Sequence, residues 1–175
     1  MLTVALLGGP LTGKRTLARQ LREALDARGI AGVVIADATA LMAAAHNELR
    51  FNDRGLWPEA LAAQRRIGLT LLMGLDLPWE PGGRFSDSPA VREATDTLLR
   101  RELQGAGIGF QTVYGHGARR LQAALRAVGA ALGRELLPDD PLLRDGSGRW
   151  ACEACSDPDC EHRLFSALLA RRGGG

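Results

Sequence analysis

A glycine-rich stretch near the start of the chain carries the most specific chemical pattern in the sequence. Gly8, Gly13 and Lys14 fit the pattern G-x-x-x-x-G-K, and residues 8–16 read Gly-Gly-Pro-Leu-Thr-Gly-Lys-Arg-Thr. In such a loop, backbone N–H groups surround an anion, the next helix adds partial positive charge, and the lysine reaches the β and γ phosphates. We therefore predict that a nucleoside triphosphate contacts Gly8, Gly9, Thr12, Gly13, Lys14, Arg15 and Thr16. The alternative is a glycine-rich turn with a surface lysine.

The lysine of this loop is unique in the chain. Of the 22 Lys and Arg residues, every one except Lys14 is arginine. An ammonium is a compact point charge on phosphate that a planar guanidinium cannot imitate. Its retention at this one position favours a role in phosphate binding over chance survival in an arginine-rich sequence.

The residue after the lysine departs from the common pattern, in which a Ser or Thr hydroxyl binds Mg²⁺. Here that position is Arg15, and Thr16 follows it. Either Thr16 binds Mg²⁺ after a small shift of the first helical turn, or the magnesium site is weakened and nucleotide is bound without fast turnover. In both alternatives the protein binds nucleotide, and they differ in whether it catalyses a reaction of that nucleotide.

Two aspartates are placed where acid–base or metal chemistry is common. Asp37 and Asp76 each follow a predicted strand, at the sheet edge where open α/β sheets bind their ligands. Either carboxylate could orient a magnesium-bound water or accept a proton from a substrate hydroxyl. A helix N-cap is an equal alternative for Asp37, whereas Asp76 precedes a proline-rich loop, which favours function.

Residues 77–90 are predicted to form a lid, because prolines and glycines interrupt any regular pattern there. This segment contains Trp79 and Arg84, and Arg92 begins the next helix. Arginines that close on a transferring phosphoryl group stabilise its charge, and an indole offers a stacking face. The alternatives are a Trp79 packed on the core and a solvated Arg84.

All the cysteines fall near the end of the chain. Cys152, Cys155, Cys160 and His162 form the pattern C-x₂-C-x₄-C-x-H. Such a ligand set suits tetrahedral Zn²⁺ in a structural site, so we predict a zinc knuckle that organises the tail. A redox-active C-x-x-C pair and cysteines used as small apolar residues are the competing interpretations.

The elements that must position these residues alternate between strand and helix. Strands are predicted at residues 2–7, 33–36, 69–73 and 110–114, and helices at 14–28, 38–49, 57–66, 91–103 and 118–132. This order predicts a three-layer α/β/α fold of the P-loop NTPase type, with a mostly parallel sheet of four or five strands. We assign residues 1–132 to the nucleotide-binding domain, 133–149 to a linker and 150–175 to the zinc-binding tail.

Composition excludes several classes of protein. The net charge of +2 is too small to favour nucleic acid as a partner. No apolar run approaches the length that spans a bilayer, and the first residues lack the basic segment of a signal peptide. The sequence therefore indicates a cytoplasmic protein with no membrane partner.

The chain resembles the nicotinamide riboside kinase domain of NadR-like proteins, which are AAA-type P-loop ATPases or kinases. The resemblance rests on residues 8–14, the strand ending in Asp37, the Asp76-Leu77-Pro78-Trp79 run, Gly83-Arg84 and Val113-Tyr114-Gly115. It implies ATP at residues 8–16, a metal-organising or base carboxylate at Asp37, Trp79 near a nicotinamide-like ring, lid arginines at Arg84 and Arg92, and adenine near the loop from Gly115 to Arg119. Residues 17–32 form a shorter segment than family kinases have at this position.

Two functions follow from these patterns. The first is an ATP- and Mg²⁺-dependent kinase of a small nucleoside-like metabolite, with Lys14, Asp37, Asp76, Arg84 and Arg92 as catalytic candidates. The second is an ATP-binding regulatory or adaptor protein with weak or no turnover, whose zinc tail contacts a protein partner. Arg15 and the short segment favour the second, and the lid favours the first.

Overall fold

Strands and helices alternate along residues 1–79 and 88–137, the part of the chain that the structure, a computed structural model, describes. The strands are β1 (Leu2–Leu7), β2 (Val33–Ala36), β3 (Leu69–Met73) and β4 (Gln111–Val113). The helices are α1 (Lys14–Asp26), α2 (Ala40–Phe51), α3 (Trp57–Gln64), α4 (Pro89–Gly105) and α5 (Gly117–Leu132). The order confirms the predicted one, in which two helices lie between β2 and β3 and one helix lies between each other pair of successive strands.

The strands form one sheet in the order β2-β1-β3-β4, and every neighbouring pair is parallel. The predicted α/β class is confirmed, with four strands in the described residues. Because the strands are parallel, their carboxyl ends meet at one edge of the sheet. The chain leaves β1 for β2 on one side and later returns to place β3 on the other side. The carboxyl ends of β1 and β3 therefore flank a topological switch point, where ligands of open α/β sheets bind.

Helices cover both faces of the sheet, because successive side chains of a strand point to opposite faces. On β1, Val4 and Leu6 belong to a core shared with α1 and α5, and Ala5 and Leu7 belong to a core shared with α2, α3 and α4. All of these β1 side chains are fully buried. The arrangement is compatible with the predicted three layers. In the described part of the chain, no helix has both the length and the apolar character required to cross a membrane.

Side chains cap the first turns of α2 and α4 but not that of α1, the helix that follows the glycine-rich stretch. The Thr39 hydroxyl accepts a hydrogen bond from the Met42 N–H, which caps α2, and Ser88 caps α4 in the same way through the Val91 N–H. These caps place both helix starts two residues from the predicted positions, later for α2 and earlier for α4. Helix α1 instead follows Gly13 and has no side-chain cap.

Candidate phosphate-binding site

The glycine-rich stretch lies between β1 and α1, at the carboxyl edge of the sheet and beside the switch point. We call residues 8–13 the phosphate loop. Gly13, which ends the loop, has a φ of 77°, a left-handed conformation that glycine adopts without strain. This turn allows the chain to pass directly from the loop into the first turn of α1.

The phosphate loop is packed tightly against the start of α4. A Cβ atom on Gly9 would lie 2.8 Å from the backbone oxygen of Arg92, so a larger residue would collide with main-chain atoms. Thr12 is 1% exposed, and its hydroxyl donates a hydrogen bond of 2.8 Å to the Gly9 carbonyl. The loop conformation is therefore held by its own side chains and by its neighbours.

Helix α1 offers an uncompensated amino end next to this loop. The first N–H groups of any helix have no intrahelical acceptor. In α1 no side chain caps them, and its first turn contains no acidic residue. Arg15 and Thr16 are exposed in this first turn. The partial positive charge of the helix end thus favours an anion at this position.

Lys14 lies partly buried within the phosphate loop. Its Nζ donates to the carbonyl oxygen of Gly8 and, at 3.2 Å, to that of Gly9. No carboxylate among the described residues forms an ion pair with it. Burial, together with the neighbouring charge of Arg15, lowers the pKa of Lys14 to about 8, and the charge of Asp37 opposes this shift. A bound anion would favour the charged form of Lys14 and so raise its pKa again.

Asp37 follows β2 and lies near enough to Lys14 for their charges to interact. One of its carboxylate oxygens lies 3.3 Å from Arg22, whose guanidinium also donates to the Ile35 carbonyl at 2.7 Å. Both partners of this ion pair are substantially exposed, and such pairs contribute little stability. The Asp37 carboxylate can therefore exchange this partner for another ligand.

Asp76 has a different environment. Its Oδ1 lies 2.6 Å from the guanidinium of Arg120, and its Oδ2 accepts a hydrogen bond of 2.6 Å from the Gly115 N–H. Arg120 itself is 4% exposed. Asp76 thus lies at the edge predicted for it, but both of its oxygens bind groups of the protein.

Arg92 is also engaged within the protein. It is 4% exposed, and its guanidinium donates to the carbonyl oxygens of Leu75 at 2.8 Å and Leu77 at 2.7 Å. Its Nε is buried without a hydrogen-bond partner in the described residues. In this arrangement Arg92 fixes the chain that follows β3 instead of extending toward a phosphate.

The remaining predicted site residues are placed as follows. Trp79 is partly buried near the end of the described segment after β3, and Arg119 is exposed in the first turn of α5. Arg84, Cys152, Cys155, Cys160 and His162 lie outside the described residues, as do most of the predicted lid and the tail. Among residues 1–79 and 88–137, no group of His, Cys, Asp and Glu is arranged to hold a metal ion.

Sequence reasoning missed Arg120, which contacts loops that follow several strands. The helical spacing between Arg120 and the apolar residues that follow it indicates that Arg120 is buried. Arg120 precedes the buried Ala124 by four residues and the buried Val128 by eight, so it lies on the core-facing side of α5. An arginine on such a face needs buried partners, and only the tertiary structure identifies them.

Comparison with known proteins adds no assignment: the sequence matches none of the protein-family models, and no curated protein matches it.

Proposed function

We propose that the phosphate loop and the first turn of α1 bind the phosphates of a nucleoside triphosphate, with ATP as the expected ligand. The observation that carries this proposal is the ammonium of Lys14, held by the Gly8 and Gly9 carbonyls beside an uncapped helix start. Within the described residues, an ammonium without an ion pair lies beside helix N–H groups that no side chain caps, and together they favour a polyanion. Their position at the switch point of a parallel sheet supports the same conclusion.

We further propose that the bound nucleotide donates its γ-phosphoryl group to a small nucleoside-like metabolite, as the resemblance to riboside kinases implies. Asp37 is the carboxylate that we assign as the base or the metal-organising group in this transfer, because it lies near Lys14 and its ion pair with Arg22 is exposed. Bound Mg²⁺ would neutralise phosphate charge during such a transfer. The oxygens of Asp37 and Thr16 are ligands of the kind that Mg²⁺ prefers.

A second candidate is a nucleotide-binding regulatory or adaptor protein with little turnover. It is favoured by Asp76 and Arg92, two predicted catalytic residues whose side chains are bound to protein groups. Arg15 at the usual magnesium-binding position favours it too. In this case the proposed zinc cluster of Cys152, Cys155, Cys160 and His162 would organise a tail that binds a protein partner.

Release of ADP in the presence of a panel of ribosides distinguishes these activities. The kinase proposal predicts that at least one riboside, including nicotinamide riboside, stimulates ADP release and becomes phosphorylated. It also predicts that Asp37→Asn abolishes turnover but leaves the protein folded, since the exposed ion pair that this change removes contributes little to stability. Tight ATP binding with no stimulation by any riboside would defeat the kinase proposal and favour the regulatory one.

A further inference from the structure

We propose that Arg120 is a positioning residue that fixes the phosphate loop for nucleotide binding, and that Asp76 acts through Arg120 instead of contacting metal or substrate. This inference rests on the proposed nucleotide site. It reassigns Asp76, whose place after β3 would otherwise suggest a general base or a magnesium ligand.

Arg120 joins the loops that follow β1, β3 and β4. Its Nη1 donates to the Thr12 carbonyl at 2.5 Å, and its Nε donates to the Gly115 carbonyl at 2.8 Å. Its Nη2 lies 2.6 Å from Asp76 Oδ1 and 3.5 Å from the Gly74 carbonyl. A single side chain from α5 therefore ties the phosphate loop to the other segments at the switch point.

Asp76 supplies the charge that makes this arrangement stable. A buried guanidinium is costly unless a counter-ion and hydrogen-bond acceptors surround it. Asp76 provides the counter-ion, and its second oxygen accepts the Gly115 N–H, which keeps the carboxylate in place. With one oxygen on Arg120 and the other on the Gly115 N–H, the Asp76 carboxylate already has a structural role in this cluster.

The bond to Thr12 has a direct consequence for the phosphate loop. In a planar trans peptide, the carbonyl and the next N–H point in opposite directions. Fixing the Thr12 carbonyl on Arg120 therefore fixes the Gly13 N–H on the opposite side, away from the guanidinium. The Gly13 N–H is therefore already oriented in the free protein, which reduces the conformational entropy lost when an anion binds.

The test is titration of inorganic tripolyphosphate and of ATP into Arg120→Met, Arg120→Lys, Asp76→Asn and the Asp76→Asn/Arg120→Met double variant. We expect Arg120→Met to weaken tripolyphosphate binding by at least about tenfold, the size of effect typical of charged hydrogen bonds. Arg120→Lys should lie between it and the wild type, because lysine keeps the charge but cannot reach all the carbonyls. Asp76→Asn should weaken binding in the wild-type background and change it by less than about twofold when Arg120 is absent.

A matched control is Arg100→Met, which removes the ion pair of 2.7 Å between Arg100 and Asp96 on α4. This variant should lose stability without losing affinity for tripolyphosphate. If Arg120→Met does not fold, Arg120→Lys and Asp76→Asn still decide the question through hydrogen exchange. Both should speed exchange of the Leu17 N–H, which donates to the Gly13 carbonyl at 2.9 Å, in the free protein while leaving the amides of β1 and β3 protected.

The outcomes separate the two proposals. If the wild type binds neither ATP nor tripolyphosphate, the proposed nucleotide site is wrong and the role of Arg120 falls with it. Wild-type binding together with an Arg120→Met affinity within twofold of it would overturn the positioning role alone. An equal loss from Asp76→Asn in both backgrounds would show that Asp76 acts directly on the ligand.

Discussion

The Nζ atom of Lys14 lies 3.2 Å from the carbonyl oxygen of Gly9 and also donates a hydrogen bond to the carbonyl of Gly8. The ammonium is thus held inside the phosphate loop by neutral acceptors, without an ion pair to any described carboxylate. Burial and the charge of Arg15 lower its pKa to about 8. A bound phosphate would supply negative charge beside this ammonium.

Nucleotide affinity should depend on pH through Lys14. Its pKa is about 8 in the free protein, and a bound phosphate raises that pKa by favouring the charged form. Affinity should therefore be full below pH 8 and decrease as pH rises through 8, by up to about tenfold per pH unit. Calorimetric titration of ATP from about pH 7.5 to about pH 9.5, above the usual phosphate titration, measures this dependence. Constant affinity across that range would contradict the assignment of Lys14 as a phosphate ligand.

The backbone turn at Gly13 should be required for binding. Gly13→Ala places a side chain at a φ of 77°, and its Cβ would lie 3.0 Å from Leu77 and 3.3 Å from Arg120. The control is Gly29→Ala, which has a φ of 63° with no atom near the added Cβ. Left-handed backbone costs about 1–2 kcal/mol for a non-glycine residue, so both variants should be less stable to urea.

Only Gly13→Ala should also lose ATP affinity, because only that variant changes the phosphate loop. Urea unfolding and ATP titration of the two proteins provide the comparison. Equal ATP affinity in the two variants would show that the turn at Gly13 has no part in nucleotide binding.

Local sequence patterns predict the strands and the position of the loop between β1 and α1 well because their causes are local. The bounds of β1, β2 and β3 match the predicted ones, since apolar runs ended by turn residues define buried strands. The start of α4 was predicted two residues late. The Ser88-Pro89 pair, a cap followed by a proline in the first turn, was the signal that would have corrected it.

The long-range contacts of the site could not be derived in the same way. The sequence predicts Arg92 to be a lid arginine and indicates no role for Arg120. Both are buried, and each binds carbonyl oxygens distant in sequence. Helical spacing places them on core-facing sides, but the acceptors depend on how the loops meet at the carboxyl edge of the sheet. The local sequence pattern does not predict how those loops pack against one another.

Replacing Arg15 should change the response to magnesium. Arg15→Thr restores the hydroxyl that follows the lysine in the common pattern and removes a cation next to Lys14. We expect Mg²⁺ to increase ATP affinity more in this variant than in the wild type, by roughly threefold or more, as one additional oxygen ligand would. ATP titrations with Mg²⁺ and with EDTA check this. The same magnesium dependence in both proteins would mean that the first turn of α1 holds no metal.

The tail should contain zinc. Protein purified without chelator is expected to hold about one equivalent of Zn²⁺ per chain, as four tetrahedral ligands bind one ion. Cys155→Ser should lower this content strongly, whereas Ser156→Ala, a change at a neighbouring residue that is not a predicted ligand, should not. Elemental analysis of the two variants measures it. Absence of zinc from the wild type would remove the hypothesis of a zinc knuckle.

Calorimetric titration of ATP into the wild type and Lys14→Met tests whether Lys14 and the phosphate loop bind nucleoside triphosphate. Arg19→Met is the matched control, because it removes an exposed cation of α1 whose partner is Glu23. We expect one ATP per wild-type chain, unchanged binding in Arg19→Met, and a loss of affinity of at least about tenfold in Lys14→Met, as is typical of charged hydrogen bonds. Absence of ATP binding by the wild type, or equal affinity in Lys14→Met and Arg19→Met, would show that this loop is not a nucleotide site.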